Sequence, residues 1–108
     1  MFRCFIFLAF ASFVGSVSAG FMTGNKLKSY MDDSEKGAFF NGGVYRGYII
    51  GVHDAFDSVL FCTPKDATQG QVTAVVSKYL NANPETWNKP ADEIIVSALL
   101  IAFPCKKN

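Results

Sequence analysis

The chain has 108 residues, half of them hydrophobic, with ten Lys and Arg against nine Asp and Glu. A chain of this length forms one small domain. Its formal net charge of +1, without a basic stripe, argues against nucleic acid or an anionic membrane as ligand. Beyond residue 19 the chain has one histidine and two cysteines, a poor ligand set for a metal centre, and we predict no metal and no cofactor.

Residues 1–19 have the pattern of a cleaved secretory signal peptide. Arg3 precedes an apolar run from about Cys4 to Val14, and small residues end at Ala19. The run is shorter than the ~20 apolar residues of a spanning helix, so an uncleaved anchor is the weaker alternative. We therefore expect residues 20–108 to form a single secreted domain with no membrane association after cleavage.

The cysteine pattern fits this secreted domain. Cleavage removes Cys4 and leaves Cys62 and Cys105 in an oxidising compartment, where we predict that they pair. The disulfide would constrain the unfolded chain by roughly 4 kcal/mol in the chain-entropy model. It also leaves no thiolate for His53 to activate, which argues against a Cys–His catalytic centre.

Hydrophobic spacing predicts the first two helices. Thr23 can cap a short helix over about residues 24–32, with apolar side chains on one face. A second helix is predicted over about residues 44–61. His53 falls off its apolar stripe, and we expect it on a solvated surface in contact with Asp57. The apolar stripe consists of Tyr45, Tyr48, Ile49, Val52, Phe56 and Val59.

Two glycines inside the second helix require an explanation. Gly47 and Gly51 lie one turn apart, and each costs about 1 kcal/mol relative to alanine in a helix. We expect the smooth surface that they leave to pack tightly against a neighbouring helix. The alternative is a groove that receives a loop of a partner protein.

The second half of the chain predicts two more helices. Thr68 and Gln71 have the spacing of a capping box, and the helix that they begin ends before Pro84. Pro90 suits the first turn of the last helix. Its residues 94–103 contain only one polar side chain, so it is apolar on every side. It is therefore either the interface of a homodimer or a central helix enclosed by the other three.

Together these elements predict an all-α protein, a small bundle of four to five helices with one disulfide that forms a dimer. Neither strand alternation nor a phosphate-binding loop is present in the sequence. Adjacent carboxylates such as Asp92 and Glu93 point in different directions on a helix. We predict no catalytic residues and no enzyme activity.

Four blocks of the sequence, TGNKL, YRGYIIGVHDAF, FCTPKDATQGQVTAVVSKYLNANP and SALLIAFPC, resemble the Rap/Tai family of type VI secretion immunity proteins. The resemblance extends from Thr23 to Cys105. It implies a small, all-helical, disulfide-bonded periplasmic protein that often forms a homodimer. It also implies the function, which is to bind and block a peptidoglycan amidase injected by sister cells.

Particular positions carry the resemblance. The family's glycine, tyrosine, glycine and aspartate correspond to Gly47, Tyr48, Gly51 and Asp54, and its paired cysteines to Cys62 and Cys105. Many members have two further cysteines where this chain has Met31 and Tyr45. Both are absent together, as expected if they bond to each other.

The resemblance also implies a binding site. In relatives a protruding loop and an adjacent helix occupy the amidase cleft, which places residues 83–88 at the interface. Trp87 would be the anchor, because tryptophan is enriched in binding hot spots. The alternative is that its ring folds back over the core. The predicted partner-binding residues are Asn83, Glu85, Thr86, Trp87 and Asn88.

Two functions stay open at this level. The first is the immunity protein, and the second is a periplasmic holdase chaperone of acid stress, which can also be a small helical dimer with one disulfide. A holdase is expected to carry many titrating carboxylates and flexible charged ends. This chain has nine acids and only KKN after Cys105, which favours the immunity protein.

Overall fold

A computed structural model describes residues 20–106, which fold into four α-helices with no strand in that part of the chain. The predicted all-α bundle with one disulfide is confirmed. The predicted signal peptide lies outside the described residues. The helices are α1 (Gly24–Glu35), α2 (Phe39–Phe56), α3 (Gln69–Ala82) and α4 (Ala91–Ala102), and a short 3₁₀ helix (Pro84–Thr86) precedes α4.

The helix starts that the capping residues predict are confirmed. Thr23 Oγ1 accepts a hydrogen bond from the backbone N–H of Lys26 at 3.1 Å. In the capping box, Thr68 Oγ1 accepts from the backbone of Gln71, and Gln71 Oε1 accepts from the backbone of Thr68. Pro90 directly precedes α4. The hydroxyls of Thr23 and Thr68 each satisfy a backbone N–H that the first helical turn leaves without a partner.

The predicted limits of the second helix are wrong at both ends. It begins at Phe39, ahead of the predicted start at residue 44, and its first turn lies close to α1, where a Cβ at Gly42 would lie 3.2 Å from Ser34 Oγ. It ends at Phe56, and Ser58 has a φ of 70°, in the left-handed region. Val59 therefore lies beyond the helix, 71% exposed, although its spacing continues the apolar stripe.

The hydrophobic core lies between α4 and the inner faces of the other three helices, all of which α4 contacts. Burying one large aliphatic side chain contributes about 1.5–3 kcal/mol, so this face of α4 is a major source of stability. The buried side chains are Leu27, Met31, Tyr45, Ile49, Phe61, Val72, Val76, Leu80, Ala91, Ile94, Ile95, Ala98 and Leu99.

The sequence predicted that the last helix is buried on every side. Within one chain it is not. Its inner face is enclosed, but in its last turn Leu100 is 45% exposed and Ile101 is 70% exposed. The alternative of a central helix enclosed by the other three is therefore wrong there, because none of these helices covers the outer side of α4, and the homodimer interface stays a prediction. An exposed apolar surface remains at the end of α4.

The two positions where the resemblance implies cysteines in many relatives, Met31 and Tyr45, are core residues in this chain. Met31 and Tyr45 are 1% and 2% exposed and belong to the same cluster. The Tyr45 hydroxyl hydrogen-bonds Ser77 Oγ at 2.6 Å. Burial raises the pKa of Tyr45 to about 12, so this hydroxyl stays neutral in the core. Met31 of α1 and Tyr45 of α2 thus share one core cluster, and the Tyr45 hydroxyl joins α2 to α3.

The predicted disulfide is confirmed. It joins Cys62 to Cys105 with a Cα–Cα distance of 4.8 Å. The Cys62 N–H also donates to the carbonyl of Phe103 at 2.8 Å. The bond therefore fixes the segment after α2 against the end of α4.

The start of α1 lies very close to the chain before α4. The Gly24 N–H donates to the carbonyl of Lys89 at 2.8 Å, and the Ala91 N–H donates to that of Met22 at 2.8 Å. A Cβ at Gly24 would lie 2.6 Å from the carbonyl oxygen of Trp87 and 2.8 Å from its Cα. Only glycine permits this approach of two backbones.

We predict that Gly24→Ala destabilises the protein by about 1–3 kcal/mol, because the new methyl group meets backbone that must shift. Gly43→Ala on α2 is the matched control, since a Cβ at that position would meet nothing within 4 Å. It should raise stability by up to about 1 kcal/mol. Thermal denaturation followed by circular dichroism measures both changes, and equal melting temperatures would contradict the close approach.

Candidate partner-binding site

The segment between α3 and α4 is held in one conformation by its own side chains. Asn83 Nδ2 donates to the carbonyl of Tyr79 at 2.9 Å, where the end of α3 leaves carbonyls without partners. Thr86 Oγ1 donates to the carbonyl of Asn83 at 2.8 Å. Pro84 begins the 3₁₀ helix that follows. Two of the predicted binding residues thus shape the loop through their side chains.

Trp87 closes this loop against the core. Its indole N–H donates to the carbonyl of Leu80 at 2.8 Å, and its ring packs on the core cluster. Lys28 Nζ lies 5.0 Å from the ring centroid, within the range of a cation–π contact, and pairs with Asp32 at 2.7 Å. The ring therefore lies over the core, as the second alternative proposed. Its contribution to binding stays a prediction.

The loop presents two polar side chains to solvent. Glu85 and Asn88 are exposed, and neither side chain forms a hydrogen bond or ion pair within residues 20–106. They lie on either side of Thr86 and Trp87, whose side chains are engaged with the fold. Among the five predicted binding residues, these two are free to contact a partner.

The prediction of tight packing at Gly47 and Gly51 is wrong. Both are exposed, and a Cβ at either position would meet nothing within 4 Å. The core-facing side of α2 carries Tyr45 and Ile49, and a step of two residues on a helix turns to the opposite side. The glycines line an open hollow of about 360 Å³, so the alternative of a groove for a partner stays open.

Gly47 and Gly51 belong to the family's motif of glycine, tyrosine, glycine and aspartate, and its other two residues, Tyr48 and Asp54, lie at different depths. Tyr48 is half-buried in the same hollow, where burial and the negative charge of Asp92 raise its pKa. Asp54 is exposed and bonds to the neighbouring imidazole. The motif is therefore not a single cluster, because its carboxylate belongs to the network around His53.

The sequence predicted that His53 lies on a solvated surface, and this is wrong. Its side chain is 14% exposed, and its ring lies 5.6 Å from that of Phe61. Nδ1 is 2.9 Å from Asp54 Oδ1, and Nε2 is 3.0 Å from Thr63 Oγ1. The predicted contact with Asp57 is present at 3.9 Å. The chain covers the ring because it turns back after Phe56.

This network orders a carboxylate, an imidazole and a hydroxyl as in a hydrolase triad. The backbone N–H of Thr63 donates to Asp57 Oδ1 at 2.9 Å. It is therefore not free to stabilise an oxyanion. What the contacts of His53 and Asp57 do achieve is to hold Thr63, and with it the neighbouring Cys62, against the end of α2.

The hydrogen bond from the Thr63 N–H to Asp57 Oδ1 makes the stability of the fold depend on pH. It is the largest of the effects that hold the pKa of Asp57 below its ordinary value, and the nearby His53 lowers it further. A carboxyl with a lowered pKa in the folded state stabilises the fold above its unfolded pKa of ~3.9. That stability is lost as the pH falls through the lower, folded value.

We predict that Asp57→Asn melts at a lower temperature than the wild type at about pH 7, because a charge-assisted hydrogen bond is lost. The difference should shrink from about pH 4 downward, where the wild-type carboxyl becomes protonated. Melting curves at several pH values measure it, with Asp66→Asn as the exposed control. A difference independent of pH would mean that the charge of Asp57 has no part in it.

Two further properties of residues 20–106 bear on the class of protein. No helix in this range is long and apolar enough to cross a membrane. No group of three or more His, Cys, Asp or Glu side chains in the same range could hold a metal ion.

Residues 23–105 match the family model of the Rap1a immunity proteins, and the chain therefore belongs to this family. The match covers the same residues, Thr23 to Cys105, as the resemblance seen in the sequence, which is confirmed. A search of curated proteins gives no match. Membership identifies the chain as an immunity protein whose partner is a cognate effector protein.

Proposed function

We propose that this immunity protein acts in the periplasm, where it binds and blocks a peptidoglycan amidase delivered by a type VI secretion system. The family membership supports an immunity function against a secreted effector. The disulfide supports an oxidising compartment. The amidase follows from the resemblance, in which a protruding loop enters the amidase cleft.

The observation that carries the proposal is the fixed conformation of the loop at residues 83–88. Side-chain hydrogen bonds from Asn83, Thr86 and Trp87 hold it before any partner arrives. A loop that is already ordered loses less conformational entropy on binding, which increases affinity. The loop is therefore suited to insertion into a cleft.

The chemistry of the two exposed side chains fits an amidase with a Cys–His centre. Glu85 offers a carboxylate that accepts hydrogen bonds from an imidazolium or from backbone N–H groups. Asn88 both donates and accepts, so it pairs with backbone amides that line a peptide-binding cleft. We propose that these two residues contact the effector and that Trp87 positions the loop between them.

We also propose that the protein is a non-covalent homodimer. The exposed apolar side chains Leu100 and Ile101 support this, since monomers rarely expose a contiguous apolar patch without a function. The holdase alternative lacks comparable support, because the family match is to immunity proteins.

We predict that Glu85→Ala combined with Asn88→Ala weakens amidase binding roughly tenfold or more, a loss of about 1.4 kcal/mol. Calorimetric titration measures the affinity. Asp66→Ala combined with Gln69→Ala is the matched control, since it removes an exposed acid and an exposed amide before α3 and at its first residue. Equal affinities for the two double variants would exclude the loop as the binding site.

We predict a different result for Trp87→Ala. Removing a tryptophan that packs on the core should lower stability by about 3–5 kcal/mol and weaken binding at the same time, because the loop loses its support. Trp87→Phe keeps most of the packing and should recover much of the stability and of the binding.

We predict that His53→Ala leaves protection of an effector-producing cell intact. Failure of a folded His53→Ala protein to protect would show that the histidine is functional.

A further inference from the structure

The chain before α1 is held against the start of α4. The Ala91 N–H donates to the carbonyl of Met22 at 2.8 Å, and Thr23 and Pro90 form an isolated antiparallel bridge. These contacts fix the course of the segment. Gly20 therefore lies beside the first turn of α4.

The carboxylate of Asp92 is within reach of Gly20. A Cβ placed at Gly20 would lie 3.9 Å from Asp92 Oδ1 and 3.7 Å from the carbonyl oxygen of Met22. Glycine has no Cβ, so this position on its Cα is open. When Gly20 is the first residue of a chain, rotation around its Cα–C bond moves its nitrogen into that position, because both positions belong to the same tetrahedral carbon. An N–O separation of up to about 4 Å is that of an ion pair.

We propose that cleavage after Ala19 creates an α-ammonium group on Gly20 that pairs with the carboxylate of Asp92 and fixes the start of the mature chain to α4. Hydrolysis adds one water to the amide bond, which leaves a carboxylate on the released peptide and an ammonium on Gly20. An α-amino group has a pKa of ~8, so most of it is protonated at neutral pH. The proposal rests on the export step of the proposed function and not on the identity of the effector.

Asp92 is suited to receive this charge. It is half-buried and forms no ion pair within residues 20–106. Its Oδ1 accepts a hydrogen bond from the backbone of Glu93 at 2.9 Å. A carboxylate has about four acceptor sites, so an ammonium can bind without displacing that bond. The charge of Asp92 also acts on the half-buried hydroxyl of Tyr48, whose pKa it raises together with burial, so solvent does not fully screen it.

The ion pair makes the stability of the fold depend on processing. In the precursor the Gly20 nitrogen is an uncharged amide, so the pair cannot form. Removal of the signal peptide then adds a contact between the start of the chain and the first turn of α4. The exported protein thus gains a stabilising interaction that the unprocessed chain lacks.

The test compares mature chains with a free and an acetylated Gly20 nitrogen. A synthetic segment of residues 20–61 carries either form and is ligated to a recombinant segment that begins at Cys62. Denaturant unfolding then gives the folding equilibrium constant of each product. Acetylation should lower this constant roughly twofold to fivefold, the range of a partly exposed ion pair.

The same comparison in two variants assigns the partner of the ammonium. In Asp92→Asn, which keeps an oxygen to accept from Glu93, acetylation should have no effect on the folding constant. Glu93→Gln is the matched control, because it removes the exposed carboxylate of the next residue in the same helical turn. Acetylation should retain its full effect in that variant. Both variants lose a charge at the start of α4, so only the effect of acetylation is compared.

An acetylation effect of equal size in Asp92→Asn and the wild type would overturn the proposal, and so would the absence of any effect in the wild type. Mass spectrometry of the exported protein should give a chain that begins at Gly20, and another first residue would also contradict the proposal. Titration with the amidase keeps the proposed function separate. The loop at residues 83–88 is unchanged by acetylation, so both forms should bind equally, and equal binding leaves the proposed inhibition standing whatever the result at Asp92.

Discussion

Burial of one face of α4 is the interaction on which the rest of the structure depends. Ile95 and Leu99 are fully buried, and α4 contacts each of the other three helices. A domain of this size has little other apolar surface to remove from water, so its core is organised around this helix. Separate contacts hold the two ends of α4. Before α4, Gly24 packs closely against the backbone of Trp87, and after α4 the Cys62–Cys105 bond joins the chain to the segment that follows α2.

The two long connections of the fold are ordered by the same physical means. Asn83, Thr86 and Trp87 bond to backbone carbonyls between α3 and α4. Before α3, Asp57 accepts from the backbone of Thr63 while His53 bonds to its hydroxyl. Side chains that satisfy backbone groups replace the helical hydrogen bonds that these segments lack. A helical scaffold can thus hold surface loops in a defined shape without many residues.

Local signals in the sequence were sufficient for part of this fold. The caps at Thr23 and Thr68 depend on neighbouring residues only, and the helices begin where these predict. The end of α2 was not predictable, because the left-handed turn at Ser58 has no glycine or proline to mark it. The exposure of Gly47 and the burial of His53 depend on which side of α2 the other segments pack, and hydrophobic spacing does not contain that information. The position of the Trp87 ring was undecided for the same reason.

The core and the proposed binding surfaces draw on the same few side chains, and the structure assigns some of these side chains to the core and leaves others exposed. Trp87 contributes its ring to the core and thereby leaves Glu85 and Asn88 as the polar groups that the loop presents. In α4, the face with Ile95 is buried within the chain, whereas Ile101 stays exposed beside an apolar groove. Because each contact that stabilises the fold also fixes a neighbouring surface, folding itself preorganises the residues available to a partner.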